Sequence, residues 1–243
     1  MKTLIKEILR KFGLELSRLP AASTSEYERI YPSANYAPWN SDPEFLSTYK
    51  LIQGNTLVDI YRCWELWTLV QQTAKRDGAI LEVGVWRGGT GALMAKRALL
   101  AGRDDAVYLC DTFEGVVKAG PHDNDYKGRE HADTSQEIVK NLLQTVDITN
   151  VRVLKGIFPD ETAQLIEPGA RFRLCHIDVD VYQSAKDVMS WVWSRIVPLG
   201  IVVYDDYGFS NCAGVTRYVN EQMTKSDRLV LHNLNGHAIV IKG

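Results

Sequence analysis

The stretch Ile80 to Gly91, Ile-Leu-Glu-Val-Gly-Val-Trp-Arg-Gly-Gly-Thr-Gly, constrains this chain more than any other. It begins as an apolar run suited to a buried strand, passes Glu82 and Gly84, and crosses a glycine-rich turn. It then enters a helical segment from Ala92 to Leu100. A strand, a glycine turn and a helix start make a nucleotide-type binding corner. The helix start offers unpaired N–H groups, and Gly84 lets a ligand approach the backbone. A tight strand-to-helix turn with no ligand would have the same pattern.

The dinucleotide fingerprint requires glycine two residues after its first glycine, where backbone and pyrophosphate touch. Counted from Gly84, that position is Trp86, whose indole would fill the space. A nicotinamide cofactor is disfavoured on that ground. The corner suits a ligand recognised by shape and hydroxyls, such as the sulfonium cation S-adenosylmethionine.

The rest of the chain alternates. Apolar runs at Val107–Cys110, Val151–Leu154, Arg173–Val179, Ile201–Tyr204, Leu229–Leu231 and His237–Lys242 read as strands. Between them, a Thr134/Glu137 capping box starts a helix to about Val146. Pro159-Asp160-Glu161 starts a short helix, and a Ser184/Asp187 capping box precedes a helix over Val188–Val197. Cys212–Met223 is also helical. Pro198-Leu199-Gly200 reads as a turn, and Asn235-Gly236 joins the last two strands as a hairpin. The pattern predicts an α/β fold, an open and mostly parallel seven-stranded sheet with one antiparallel edge strand.

Upstream, Leu57 to Ala74 is a helix whose Trp64 and Trp67 belong to the core. Residues 17–53, punctuated by Pro20, Pro32, Pro38 and Pro43, form a linker with short helical pieces that cover the site. Met1 to Leu16 places Leu4, Ile5, Ile8, Leu9 and Phe12 on one face and Lys2, Lys6, Arg10 and Lys11 largely on the other. Such a helix packs on its own domain or a second subunit, or rests on a membrane surface. The domain reading is a helical extension and lid over 1–53 and a catalytic domain over 54–243.

The 243-residue chain has a net charge of −2, which argues against a nucleic-acid partner. The cysteines Cys63, Cys110, Cys175 and Cys212 form no CxxC pair and fit a reducing, cytoplasmic setting. Peripheral contact with the inner membrane face through Met1–Leu16 stays open, and a homo-oligomer is expected. No stretch approaches the length of a membrane span.

In open α/β sheets ligands bind beyond the carboxyl ends of the strands. Asp111 ends its strand where a carboxylate accepts hydrogen bonds from a ribose diol, and Thr112 continues the loop. His176-Ile177-Asp178-Val179-Asp180 and Tyr204-Asp205-Asp206-Tyr207 place carboxylates at two further strand tips. Three clustered carboxylates repel one another unless a cation neutralises them, and their hard oxygens suit Mg²⁺. Asp178, Asp205 and Asp206 are the expected ligands. Asp180 either faces the same side or caps the next turn. His176 is expected to be buried and hydrogen-bonded. His122 and Asp125 lie in a polar loop that reads as a substrate lid, and His232 and His237 carry no assigned role.

Taken in order, Leu81-Glu82-Val83-Gly84-Val85-Trp86-Arg87-Gly88-Gly89, Asp111-Thr112-Phe113-Glu114-Gly115, His176-Ile177-Asp178-Val179-Asp180 and Asp205-Asp206-Tyr207-Gly208 resemble the macrocin O-methyltransferase (TylF/MycF/NovP-like) family. The resemblance runs from about Asn55 onward. It implies a Rossmann-like class I methyltransferase fold, S-adenosylmethionine as donor, Mg²⁺ as cofactor and a sugar or glycoside hydroxyl as acceptor. It also implies a donor site of Thr56, Glu82, Gly84, Val85, Trp86, Asp111 and Thr112, with Ser135, Gly156 and Phe158 around the adenine. Asp178, Asp205 and Asp206 become the metal ligands, with Asp178 also beside the donor and serving as base. A catechol-type O-methyltransferase and a non-catalytic donor-binding component of a glycan-assembly complex are the alternatives.

Overall fold

Strand β1 (Ala79–Val83) stands at the middle of a seven-stranded sheet of order β3-β2-β1-β4-β5-β7-β6. The others are β2 (Val107–Asp111), β3 (Val151–Lys155), β4 (Phe172–Ile177), β5 (Ile196–Tyr204), β6 (Arg228–His232) and β7 (Ala238–Lys242). The computed structural model describes residues 26–28, 30 and 34–243. The amphipathic segment Met1–Leu16 lies outside the described residues.

Neighbouring strands from β3 through β5 pair in parallel. β7 runs antiparallel to both β5 and β6. One reversed strand at this end of the sheet is what the Asn235-Gly236 hairpin implies. β7 takes the slot between β5 and β6, so the earlier strand of the hairpin forms the rim.

Among the described residues, six α-helices cover the sheet: α1 (Pro43–Ile52), α2 (Ile60–Thr73), α3 (Gly89–Leu100), α4 (Gln136–Thr145), α5 (Tyr182–Val192) and α6 (Ala213–Gln222). Successive residues of a strand point to opposite faces. Ile80, Leu109, Leu174 and Val203 therefore join Leu66, Trp67, Leu93, Met94 and Leu142 in one core. Leu81, Tyr108, Cys175 and Val202 join Val188, Met189, Val215 and Val219 in the other. With both faces covered, the central strands β1 and β4 are buried almost end to end rather than alternating, Glu82, Arg173 and His176 included.

Some local expectations shift. Residues Ala34–Gly243 form one compact unit, and α1 sends Phe45 and Ile52 wholly into the first core. Asp42 adds polar fastening. Its Oδ1 accepts from the Phe45 N–H at 2.9 Å, capping the helix, and its Oδ2 accepts from Trp67 Nε1 at 3.0 Å. The cap of α4 is Ser135 rather than Thr134, whose hydroxyl instead donates to the Trp86 carbonyl. α5 begins at Tyr182, so Ser184 sits inside it and donates to the Val117 carbonyl at 3.0 Å. Pro198-Leu199-Gly200 lies within β5, where the register against β4 slips and Leu199 takes φ 58°. After Pro159 only a short 3₁₀ turn, Ala163–Leu165, forms.

Candidate active site

The strand order reverses at β1, which has β2 on one side and β4 on the other. A cavity of about 300 Å³ opens over the carboxyl ends of these strands, where such sheets bind ligands. Thr56, Gly84, Val85, Trp86, Asp111, Thr112, Gly156, Phe158, Asp178, Asp205 and Asp206 all line it. Glu82 and Ser135 do not. Glu82 is wholly buried beneath the corner, against the first turn of α3, and Ser135 spends its side chain on capping the Ile138 N–H. An acid inside an apolar strand and a serine before a helix look alike in sequence whether they face a ligand or the protein interior.

Gly84 has φ 86°, and a Cβ there would overlap the Asp178 carbonyl oxygen. The glycine is required because the Asp178 backbone, just past the end of β4, lies directly against the corner, a tighter constraint than ligand approach. The corner is then fixed by Asp111. Its Oδ2 accepts from the Val85 and Trp86 N–H groups at 2.7 and 2.9 Å, and its Oδ1 from the Phe113 N–H at 2.6 Å. A carboxylate offers about four lone-pair sites, so one is left for a ligand hydroxyl. Trp86 adopts φ 48° and swings its indole outward, where Nε1 donates to Asp133 at 2.9 Å. The side chain is thus a wall of the cavity mouth. Val116, Val117, Phe158 and Val188 build an apolar slot beside Asp111, of a kind that accepts a flat base.

On the opposite side the two acidic strand tips meet. Asp178, Asp205 and Asp206 each present an oxygen within 4.8 Å of the others. Asp205 and Asp206 are buried, while Asp178 and Asp180 open onto the cavity. Burial raises the Asp178 carboxyl well above its ordinary range, and repulsion from Asp205, Asp206 and Asp180 adds to it. Asp206 is raised in the same way by burial and by Asp180 and Asp205. Burial pushes Asp205 in the same direction but is outweighed. The imidazoles of His176 and His237 beside it, together with the Arg62 guanidinium, hold its carboxyl far below the usual range. An all-carboxylate donor set with excess negative charge suits a hard divalent cation. The residues therefore fit Mg²⁺, just as the apolar slot and the Asp111 lone pair fit an adenosyl ligand.

Three contributors have no assigned role in the sequence reading. Arg62 of α2 pairs with Asp205 and donates to Asp59 at 2.9 Å. His237 Nε2 lies 2.8 Å from Asp205 Oδ1. Tyr126, from the loop before α4, donates to Asp180 Oδ1 at 2.5 Å. A signal existed for Arg62, because an arginine on an otherwise apolar helix stripe must find a buried carboxylate. His237 precedes β7, and Ala238 pairs with Tyr204, so His237 necessarily abuts Asp205. That inference needs the slot of β7, which the sequence does not reveal. His176 is buried as expected; burial lowers its pKa, but the neighbouring carboxylates of Asp205 and Glu82 outweigh that and push it up to about 9. In the polar loop before α4, His122 Nδ1 lies 3.2 Å from Arg217. Asp123 rather than Asp125 is the anchoring acid, accepting from the Tyr182 and Gly120 N–H groups at 2.9 Å each.

This sheet order, with its reversed strand beside β5 and a cavity over β1 and β4, is the architecture of class I S-adenosylmethionine-dependent methyltransferases. The solved O-methyltransferase NovP shares it with a TM-score of 0.65 and 23% identity, over 77% of this chain and 81% of that one. A family model described as macrocin-O-methyltransferase (TylF) matches residues 48–233, and the chain belongs to that family of O-methyltransferases. Among its relatives, an 8-demethyl-8-(2,3-dimethoxy-alpha-L-rhamnosyl)-tetracenomycin-C 4'-O-methyltransferase from Streptomyces olivaceus is 29% identical, over 71% of this chain and 70% of the relative. The mycinamicin III 3''-O-methyltransferase of Micromonospora griseorubida is also 29% identical, over 73% and 74%.

Proposed function

We propose that this chain moves a methyl group from S-adenosylmethionine to a sugar hydroxyl of a glycoside or other sugar-bearing small molecule, with Mg²⁺ held by Asp178, Asp205 and Asp206. The observation that carries the reading is the meeting of the two acidic strand tips beside the Gly84 corner, on one cavity. The name of the tetracenomycin relative, which specifies a position on a rhamnosyl-bearing compound, supports the acceptor class.

The donor supplies a methyl already activated by positive sulfur, and a bound divalent ion would lower the pKa of an acceptor hydroxyl. The protein supplies the rest. Asp111 holds the corner and offers its remaining lone pair to a ribose hydroxyl. Thr56 stands at the same cavity wall, its Oγ1 accepting from the Val58 N–H at 3.0 Å. Asp178, open to the cavity and adjoining the corner through its backbone N–H to the Val83 carbonyl (2.9 Å), is placed to take the acceptor proton. Tyr126 orients Asp180 beside it and excludes water from that side. Aligning acceptor and methyl at about 3–3.5 Å contributes much of the remaining acceleration.

A labelled-methyl assay over glycosides, nucleotide sugars, lipid-linked glycans and catechols, with and without Mg²⁺, tests this. Transfer to glycosides, lost in EDTA and restored by Mg²⁺, is expected. Full activity in excess EDTA removes the ion from the scheme. Transfer to catechols alone favours a catechol-type enzyme. Tight donor binding with no transfer to any acceptor favours a non-catalytic component.

A further inference from the structure

A second cluster lies against Asp205 on the side away from the cavity. His176 and His237 are both wholly buried, and both turn Nε2 toward the same oxygen, Asp205 Oδ1, at 3.6 and 2.8 Å. Each imidazole has a carboxylate at its other nitrogen. His176 Nδ1 lies 2.9 Å from Glu82 Oε1, and His237 Nδ1 lies 2.6 Å from Glu65 Oε2. A carboxylate at Nδ1 orients each ring and leaves Nε2 facing inward, which is how metal-ligating histidines are commonly oriented. His176 Nε2 has no hydrogen-bond partner despite complete burial. Two imidazole nitrogens and a carboxylate oxygen thus converge on one buried point.

The spacing fits an ion. Tetrahedral ligand atoms at about 2.0–2.1 Å from Zn²⁺ stand roughly 3.3 Å apart. The two nitrogen-to-oxygen separations, 2.8 and 3.6 Å, bracket that value, and all three ligand atoms fall within 4.8 Å. The donor set also differs in kind from the acidic trio. Imidazole nitrogen suits Zn²⁺ and its neighbours in the transition series, whereas Mg²⁺ prefers oxygen and water.

We propose that His176, Asp205 and His237 form a site for a divalent transition ion of the Zn²⁺ type, joined to the acidic trio through the shared Asp205. Glu82 and Glu65 are its outer supports. An ion there fixes the Asp205 carboxylate from behind, with Arg62 gripping its other oxygen.

The test needs neither donor nor acceptor, so its failure is separate from failure of the methyl-transfer reading. The chelator-stripped full chain is titrated with Co²⁺ and followed by visible absorption, and Zn²⁺ binding is measured by competition. Wild type is expected to take one equivalent of Co²⁺ with the visible bands of a tetrahedral nitrogen–oxygen site. Asp178→Asn keeps those bands, and His237→Gln loses them. Glu65→Gln keeps the ligands but binds about 10–100-fold more weakly. It carries the test if His237→Gln fails to melt cooperatively. Three outcomes overturn the proposal: no ion bound by wild type, bands removed by Asp178→Asn but not His237→Gln, or unchanged affinity in Glu65→Gln.

Discussion

Within the acidic cluster, individual side chains carry unequal duties. Among the described residues Asp206 forms no ion pair of the kind that Asp205 forms with Arg62; its Oδ2 accepts the Asp180 N–H at 2.9 Å and its Oδ1 the Cys212 thiol at 3.7 Å. Its charge therefore leans on a bound cation more than that of Asp205. Asp206→Asn is expected to abolish stimulation by Mg²⁺ while leaving S-adenosylmethionine binding intact, read by calorimetry beside turnover. Asp178→Asn is expected to lower kcat by on the order of 10²–10⁴-fold. If Asp180→Asn does so instead while Mg²⁺ still binds, the role of base passes to Asp180. Gly84 offers a different test. A left-handed backbone at a non-glycine residue costs on the order of 1–3 kcal/mol, and the overlap with the Asp178 carbonyl adds to it. Gly84→Ala should depress the melting temperature, at about 2–4 °C per kcal/mol for a domain of this size. Donor affinity should fall with it. These residues were legible in advance because strand-tip acids and turn glycines follow from backbone geometry alone. Glu82 was legible as an acid but not as a buried partner of His176, since partnership across β1 and β4 is a tertiary fact.

Whole elements show why boundaries are harder to read than identities. Every strand forecast between Ile80 and Lys242 is present, because buried parallel strands announce themselves as apolar runs. Helix starts moved where a polar side chain found a partner outside its own helix. Thr134 turned to Trp86, and Ser184 turned to Val117. α1 was hidden in a proline-punctuated segment, and Asp42 adds polar fastening to the burial of Phe45 and Ile52. Asp42→Ala removes both the cap on α1 and the acceptor for the wholly buried Trp67. The lost cap costs about 1 kcal/mol and the orphaned indole N–H about 1–3 kcal/mol. Denaturant unfolding should report a loss of that size, and Asp42→Asn should recover part of it.

Across the molecule, the buried charges set how stability responds to pH. Asp178 and Asp206 have carboxyls raised by burial and mutual repulsion, so their contribution is present at low pH and lost as pH rises through the raised values. His176, raised from 6.5 to about 9, contributes fully below 6.5 and loses that contribution as pH climbs through 9. Asp205 works with the opposite sign. Its stabilisation is lost only in strong acid, so it is constant over this window. The ion-free chain should therefore melt at lower temperature at about pH 9 than at about pH 6, and Mg²⁺ should raise the melting temperature more at the higher pH. A flat profile that Mg²⁺ does not alter would contradict this. The insertion of β7 between β5 and β6 bears on how the chain is made. During synthesis β5 emerges with an open flank, and β6 cannot fill it because its place is one strand further out. Asp205 then waits without His237, with its row of backbone N–H and C=O groups uncovered. Residues 237–242 supply both the strand that covers β5 and the His237 that meets Asp205, so a nascent chain stalled before that point would be prone to misassociation.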